Sequence, residues 1–120
     1  MTMSLLLKCG NLDETKAFYS GILGFDVFDS AEGSCTVRKS EGTIIFTDGE
    51  LWEGRPHCTG TIYFFVPDVD GYYRAVKDKA IVRWPLENMS YGTREFGIKD
   101  CNGYTLAFAQ QSSAASADAR

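Results

Sequence analysis

The 120-residue chain has one histidine, no Cys-x-x-Cys pair, no excess of basic side chains and no apolar run near the ~20 residues that cross a bilayer. Each shortage excludes something. With His57 alone, a nucleophile–histidine–acid triad can only be assembled by choosing residues at will. Cys9, Cys35, Cys58 and Cys101 lie scattered, so they read as idle or buried thiols and not as a disulfide or zinc framework. A net charge of −4 argues against nucleic acid, which is held by a basic surface. No glycine loop shaped to cradle a phosphate is present, since Gly21-Ile22-Leu23-Gly24 reads as a helix end and Gly71 as part of a helix start. Met1 to Lys8 is too short for a signal peptide and runs straight into patterned sequence. The expected location is therefore the cytoplasm, with no membrane partner.

What the chain does have is a hairpin. Tyr91 to Phe108 reads as two short strand-like runs joined by Asp100-Cys101-Asn102-Gly103, and Asn-Gly between apolar runs accepts the positive φ that a tight turn needs. Arg94, Phe96 and Ile98 alternate with Glu95, Gly97 and Lys99, which gives the run two distinct faces. Upstream, Ser4 to Cys9 reads as a strand. Asn11 is positioned to cap a helix, with Glu14 able to reach back to it. Ala17, Phe18, Ile22 and Leu23 recur at helical spacing as the inward face, and Gly24 closes the helix. Strands follow over Asp26–Asp29, Ser34–Arg38 and Thr43–Thr47, separated by turns at 31–33 and 40–42.

The plan then repeats. Thr61 to Val66 is a strand rich in aromatic and β-branched residues. Asp68 caps a second helix, which carries Tyr72, Ala75 and Val76 inward and runs to about Lys79. Ile81 to Trp84 is a strand, and the hairpin supplies the last two. Asn11-Leu12-Asp13 finds its counterpart in Asp68-Val69-Asp70, and Gly42 finds its own in Gly103. Two copies of one βαβββ unit account for this most economically. The expected organisation is one α+β domain over 1–109, with units at 4–47 and 61–109 and a connector at 48–60. Residues 110–120, rich in Ser and Ala, read as a flexible tail.

The hairpin resembles the closing hairpin of the glyoxalase/bleomycin-resistance/extradiol-dioxygenase superfamily, with Cys101 where proline is usual. Asn11, Phe18-Tyr19 and Leu23-Gly24-Phe25 are similar to that superfamily's first helix. The resemblance implies curled mixed sheets with helices on their convex side, and cups on the concave side where relatives hold a divalent ion or a ligand. It places the metal-ligand positions at Ser4, Phe46 (or neighbouring Ile45), Thr61 and Ala107. None of these is a competent ligand for an ion that needs donors within ~2.0–2.5 Å, so neither metal nor other cofactor is expected. His57 beside Glu50 or Glu53 is the one unorthodox alternative, against the plainer reading of a solvent-exposed loop histidine.

Strand parity carried over from those positions turns Ser4, Leu6, Phe46, Thr61, Tyr63 and Phe65 toward the cup, along with Thr105 and Ala107. A lining of aromatics with a few hydroxyls suits a small molecule. The expected ligand-binding residues are Phe46, Trp52, Thr61, Tyr63, Trp84, Tyr91, Arg94 and Glu95, the last two as polar anchors at the rim. No catalytic residue is assigned. The chain thus resembles the metal-lacking, drug-sequestering bleomycin-resistance proteins, which implies a homodimer that binds an aromatic or cationic compound such as an antibiotic. Two other readings stand beside it: a lyase, isomerase or dioxygenase with a displaced metal or acid–base chemistry at Glu95 or Tyr63, and a structural module whose cup is filled by its own side chains.

Overall fold

Strand β1 (Ser4–Lys8) lies parallel to β4 (Gly42–Thr47), which pairs on its other side with β3 (Ser34–Lys39), and β3 with β2 (Asp26–Asp29). The computed structural model describes residues 3–111. They fall into two compact units. One comprises the chain up to Thr59 together with Cys101–Tyr104, and the other Gly60–Asp100 together with the chain from Thr105 onward.

Residues paired across a ladder share a face. Leu7, Phe46 and Cys35 are one such row, and Leu5, Ile44, Val37 and Val27 are the next. Both rows turn toward helix α1 (Leu12–Ala17) and the π-helical turn Phe18–Ile22 that extends it. The ring of Tyr19 stands 5.1 Å from those of both Phe46 and Phe25, and all three side chains are buried. The opposite face carries Ser4, Leu6, Thr36, Ile45 and Phe28.

Helix α1 begins where the sequence predicts. Asn11 Oδ1 accepts from the Glu14 amide at 2.7 Å, which satisfies one of the amides left over at a helix start. Its inward face differs from the expected one. Thr15, Tyr19 and Leu23 are buried, Phe18 and Ile22 are half-buried, and Ala17 is exposed. The cause is the wider winding after Ala17, where the Leu23 amide bonds five residues back to the Phe18 carbonyl at 3.1 Å. That extra residue per turn keeps a spacing of four on the inside. Gly24 closes the helix at φ +71°, as expected.

The second unit repeats the order: β5 (Thr61–Phe65), α2 (Val69–Val76), β6 (Ile81–Asn88), β7 (Thr93–Lys99) and β8 (Thr105–Gln111). Its sheet runs β5-β8-β7-β6, with β5 parallel to β8 and the rest antiparallel. The fold is α+β, two four-stranded mixed sheets each with a short helix, in the βαβββ order that the sequence repeats. Among the described residues no helix is long and apolar enough to cross a membrane.

Asp68 caps α2 by accepting from the Gly71 amide at 3.1 Å, and the Val69 amide donates to Gln110 Oε1 at 2.9 Å. Gln110 and Gln111 also pair with Arg94 and Thr93 of β7, so β8 continues past the expected end of the domain at 109. The rest of the expected tail, 112–120, lies outside the described residues. The helix buries Val69 and Val76, while the Tyr72 ring packs 4.8 Å from Phe108 and the Tyr73 ring 4.9 Å from Phe96. Ala75, expected inside, is exposed, and α2 stops at Val76, before the expected Lys79. The helix gives way to a turn there, in which the Lys79 and Ala80 amides both bond to the Val76 carbonyl at 3.0 Å.

Strand β6 is twice its expected length, running through Pro85 to Asn88, with register shifts on both sides of Trp84. It is an edge strand, so the proline removes no ladder bond that the sheet requires. The shifts lay the Trp84 indole flat across Gly97 of β7. A Cβ on Gly97 would meet the indole carbons at 2.6 Å. Gly97→Ala is therefore expected to cost about 1–3 kcal/mol by overpacking, read as a lower denaturation midpoint with unchanged slope.

Arg94 docks α2 onto β7 through a forked pair with Asp70, Nε to Oδ1 at 2.8 Å and Nη2 to Oδ2 at 3.3 Å. The hydrogen bond from Arg94 holds the Asp70 carboxyl below its usual range. A carboxyl depressed in the folded state adds stability above its unfolded pKa and loses it as pH falls through the folded one. Asp70→Asn should accordingly melt earlier than the parent at neutral pH, and the gap should close as both are acidified below the carboxylate range.

Candidate functional site

On the second sheet, Thr61, Tyr63 and Phe65 of β5 share a face with Thr105, Ala107 and Ala109 of β8 and with Thr93, Glu95 and Gly97 of β7. This is the face turned away from α2. It holds the most unusual side chain of the unit, Glu95, which is fully buried. Its Oε1 accepts from the Thr93 hydroxyl at 2.7 Å and its Oε2 from the Tyr63 hydroxyl at 3.1 Å. Both oxygens act as acceptors. Among the described residues no lysine, arginine or histidine forms an ion pair with it.

Over the carboxylate stand two half-exposed phenols. Tyr63 and Tyr91 are 44% and 45% exposed, and their hydroxyls lie 3.5 Å apart. The Tyr91 hydroxyl is pushed above the ordinary phenol range, first by its hydrogen bond with Tyr63, then by desolvation and by the Glu95 charge. It therefore stays protonated across the physiological range. Because Tyr63 commits its proton to Glu95, its oxygen is left as an acceptor, which the Tyr91 hydroxyl approaches. The Phe65 ring lies stacked with that of Tyr63 at 6.5 Å, and Trp84 lies across Gly97 on the same face. The Trp84 Nε1–H is buried and finds no partner among the described residues.

Of the eight expected ligand-binding residues, the second sheet's open face brings together Thr61, Tyr63, Trp84 and Glu95, with Tyr91 bonded into the group. The other three lie elsewhere. Phe46 is turned toward α1 and packed on Tyr19, so the parity that assigned it to the cup is corrected by one residue, and Ile45 shares the face of Leu6. Arg94 is turned to the α2 side, where Asp70 and Asn88 engage it, and is no rim anchor. Glu95 is likewise no rim group but a buried one. Trp52 belongs to a hollow in the first unit. Thr93 escaped the sequence reading, although its place two residues before Glu95 put it on the same face.

That hollow, of about 390 Å³, lies at the end of β1 beneath the connector, lined by Leu6, Lys8, Trp52, Arg55, His57 and Tyr104. Lys8 fastens the connector over it, with Nζ donating to the Gly54 carbonyl at 2.6 Å and to Glu50 at 3.3 Å. The Tyr104 hydroxyl closes the floor by donating to the Lys8 carbonyl at 2.7 Å. His57 is exposed, as expected. Its ring nitrogen lies 3.5 Å from the Thr59 hydroxyl, while Glu50 is taken up by Lys8.

The positions corresponding to metal ligands do not suit a divalent ion. Ser4 and Ile45 face one side of the first sheet and Phe46 the other, while Thr61 and Ala107 share the second sheet's open face. None of the five side chains offers a nitrogen or carboxylate donor. Among the described residues no three His, Cys, Asp or Glu side chains cluster. None of the four cysteines forms a disulfide, and burial raises the thiol pKa of Cys9 and Cys35, which leaves both unreactive.

Solved structures with the same fold include TioX from Micromonospora sp. ML1, at 18% identity and a TM-score of 0.76 over 92% of this chain and 98% of that one. A glyoxalase/bleomycin resistance protein/dioxygenase from Alicyclobacillus acidocaldarius superposes with a TM-score of 0.74 at 17% identity, covering 92% and 91% of the two chains. A virulence protein from Salmonella typhimurium does so at 0.71 and 15%, covering 92% and 96%. At such identities the likeness carries the fold alone. No curated protein matches the chain. A sequence model of the Glyoxalase/Bleomycin resistance protein/Dioxygenase superfamily matches residues 4–108, and the chain belongs to that superfamily.

Proposed function

We propose that this protein is a metal-independent small-molecule binder of its superfamily, which sequesters an aromatic, cationic compound of the antibiotic kind on the open face of its second sheet. The observation that carries the reading is Glu95. A buried carboxylate without a cationic partner is costly to keep, and two neutral hydroxyls offset only part of that cost. A cation above Tyr63 and Tyr91 would supply the missing charge, held by the ring faces and by the field of the carboxylate beneath them. Phe65 and Trp84 extend the aromatic surface on which a planar ligand can lie. Sequestration needs affinity and a sufficiency of protein, with no catalytic step. The exposed Tyr63, Phe65, Ile81 and Tyr91 also favour a second copy as the self-partner, in the cytoplasm where such a compound would act.

A second reading has its own support. The Tyr63–Glu95 bond pairs a phenol with a buried carboxylate, an arrangement able to move a proton to or from a bound substrate. It differs from the first in outcome, because a ligand would be recovered chemically altered.

Glu95→Gln, nearly isosteric, should weaken a cationic aromatic probe about tenfold or more and leave a neutral probe of the same ring system unaffected, by calorimetric titration. Equal loss for both probes, or none, would count against the cation. Recovery of the unchanged probe after long incubation separates binding from turnover. After dialysis the protein should retain no stoichiometric divalent metal and should sediment as a dimer; a full equivalent of metal would overturn the metal-independent reading, and a monomer at micromolar concentration the pairing.

A further inference from the structure

The hollow beneath the connector differs in kind from the sheet face around Glu95. Its apolar lining comes from Leu6 and the indole of Trp52. Its position is fixed by bonds within the first unit: the three from Lys8 to Glu50, Trp52 and Gly54, and that from Tyr104 to the Lys8 carbonyl. The Lys8 side chain is only 14% exposed, and its charge is balanced by Glu50. Lys8 is therefore occupied in shaping the hollow.

Two other charges on the lining are not occupied. Glu53 and Arg55 both face the hollow, and among the described residues neither makes a hydrogen bond or an ion pair. They are two residues apart on one backbone, opposite in sign, above an aromatic and aliphatic wall. A ligand with a single charge would satisfy one of them and meet the other unfavourably. A ligand with both signs a few bonds apart would satisfy both, its carboxylate on the Arg55 fork and its ammonium on the Glu53 carboxylate. The volume, about 390 Å³, is at the small end for ligand pockets and suits one ring system.

We infer that the first unit carries a binding site for a zwitterionic aromatic molecule of the size of a free aromatic amino acid. The ring lies between Trp52 and Leu6, the carboxylate on Arg55 and the ammonium on Glu53. His57, at the same mouth, adds a second donor toward the carboxylate. The site stands independently of the cation reading at Glu95.

Calorimetric titration of the full chain with L-phenylalanine, phenethylamine and 3-phenylpropionate tests this, since the three share a ring and differ only in charge. L-phenylalanine should bind about tenfold more tightly than either singly charged analogue. Arg55→Gln should weaken L-phenylalanine and 3-phenylpropionate and tighten phenethylamine, which loses its repulsion from the guanidinium, and Glu53→Gln should do the reverse for the two singly charged probes. Both side chains lie in the connector and hold no partner, so the melting temperature should stay at the parent value. Glu95→Gln should leave L-phenylalanine binding intact. Equal affinity for the three probes, indifference to both connector variants, or no heat with L-phenylalanine at millimolar concentration would each overturn the proposal.

Discussion

Each four-stranded sheet has two faces and a single short helix to cover them, and that inequality organises the molecule. Period-two alternation sends Ile44, Phe46, Cys35 and Val37 to the helix in the first unit, and Phe96, Ile98, Leu106 and Phe108 to it in the second. Truncating any of the buried aromatics would cost about 3–5 kcal/mol, so register is fixed by the covered side. The uncovered side is set by default, one residue out of phase. It can then carry groups that stability alone would not select, among them Glu95 and Tyr63.

Those groups show how a sheet face becomes chemically specific. Thr93 and Tyr63 reach Glu95 from the same strand and from a strand two places away in the sheet, and each orients a hydroxyl proton toward the carboxylate. The result is a preset polarity: the buried carboxyl takes both hydroxyl protons, and aromatic surface lies beside it. The first unit reaches a different result with the same architecture. There a loop held by Lys8 covers part of the strand edge and presents charges of both signs.

Much of this was legible in the sequence. Asn11, Asp68, Gly24 and the Asn102-Gly103 turn act locally, through caps and backbone angles that a few adjacent residues determine, and they fall where the patterns put them. The faces were harder. Phe46 was assigned from a repeat match, and a match that is right in register by element can still be wrong by one residue, which in a strand reverses the side chain. The inward face of α1 depended on a π-helical turn with no signature in a 3.6-residue count. Trp84 and Gly97 meet only because β6 slips twice in register, a property of the assembled sheet. The pairing of Glu95 with Tyr63 joins residues 32 positions apart, and periodicity alone does not bring two such positions together.

The turn between β7 and β8 has one more consequence. Asn102 bonds to the Gly10 amide and to the Thr15 hydroxyl, and Tyr104 to the Lys8 carbonyl, across separations of 87 to 96 residues. The unit that opens with β1 is thus finished by Cys101–Tyr104, which follow β7 in the chain. Its helix and four strands therefore gain these bonds only once the turn after β7 has also been made. Gene halves divided at the connector would not encode the two structural halves, and in this chain the internal repeat visible in sequence is not a pair of separable modules.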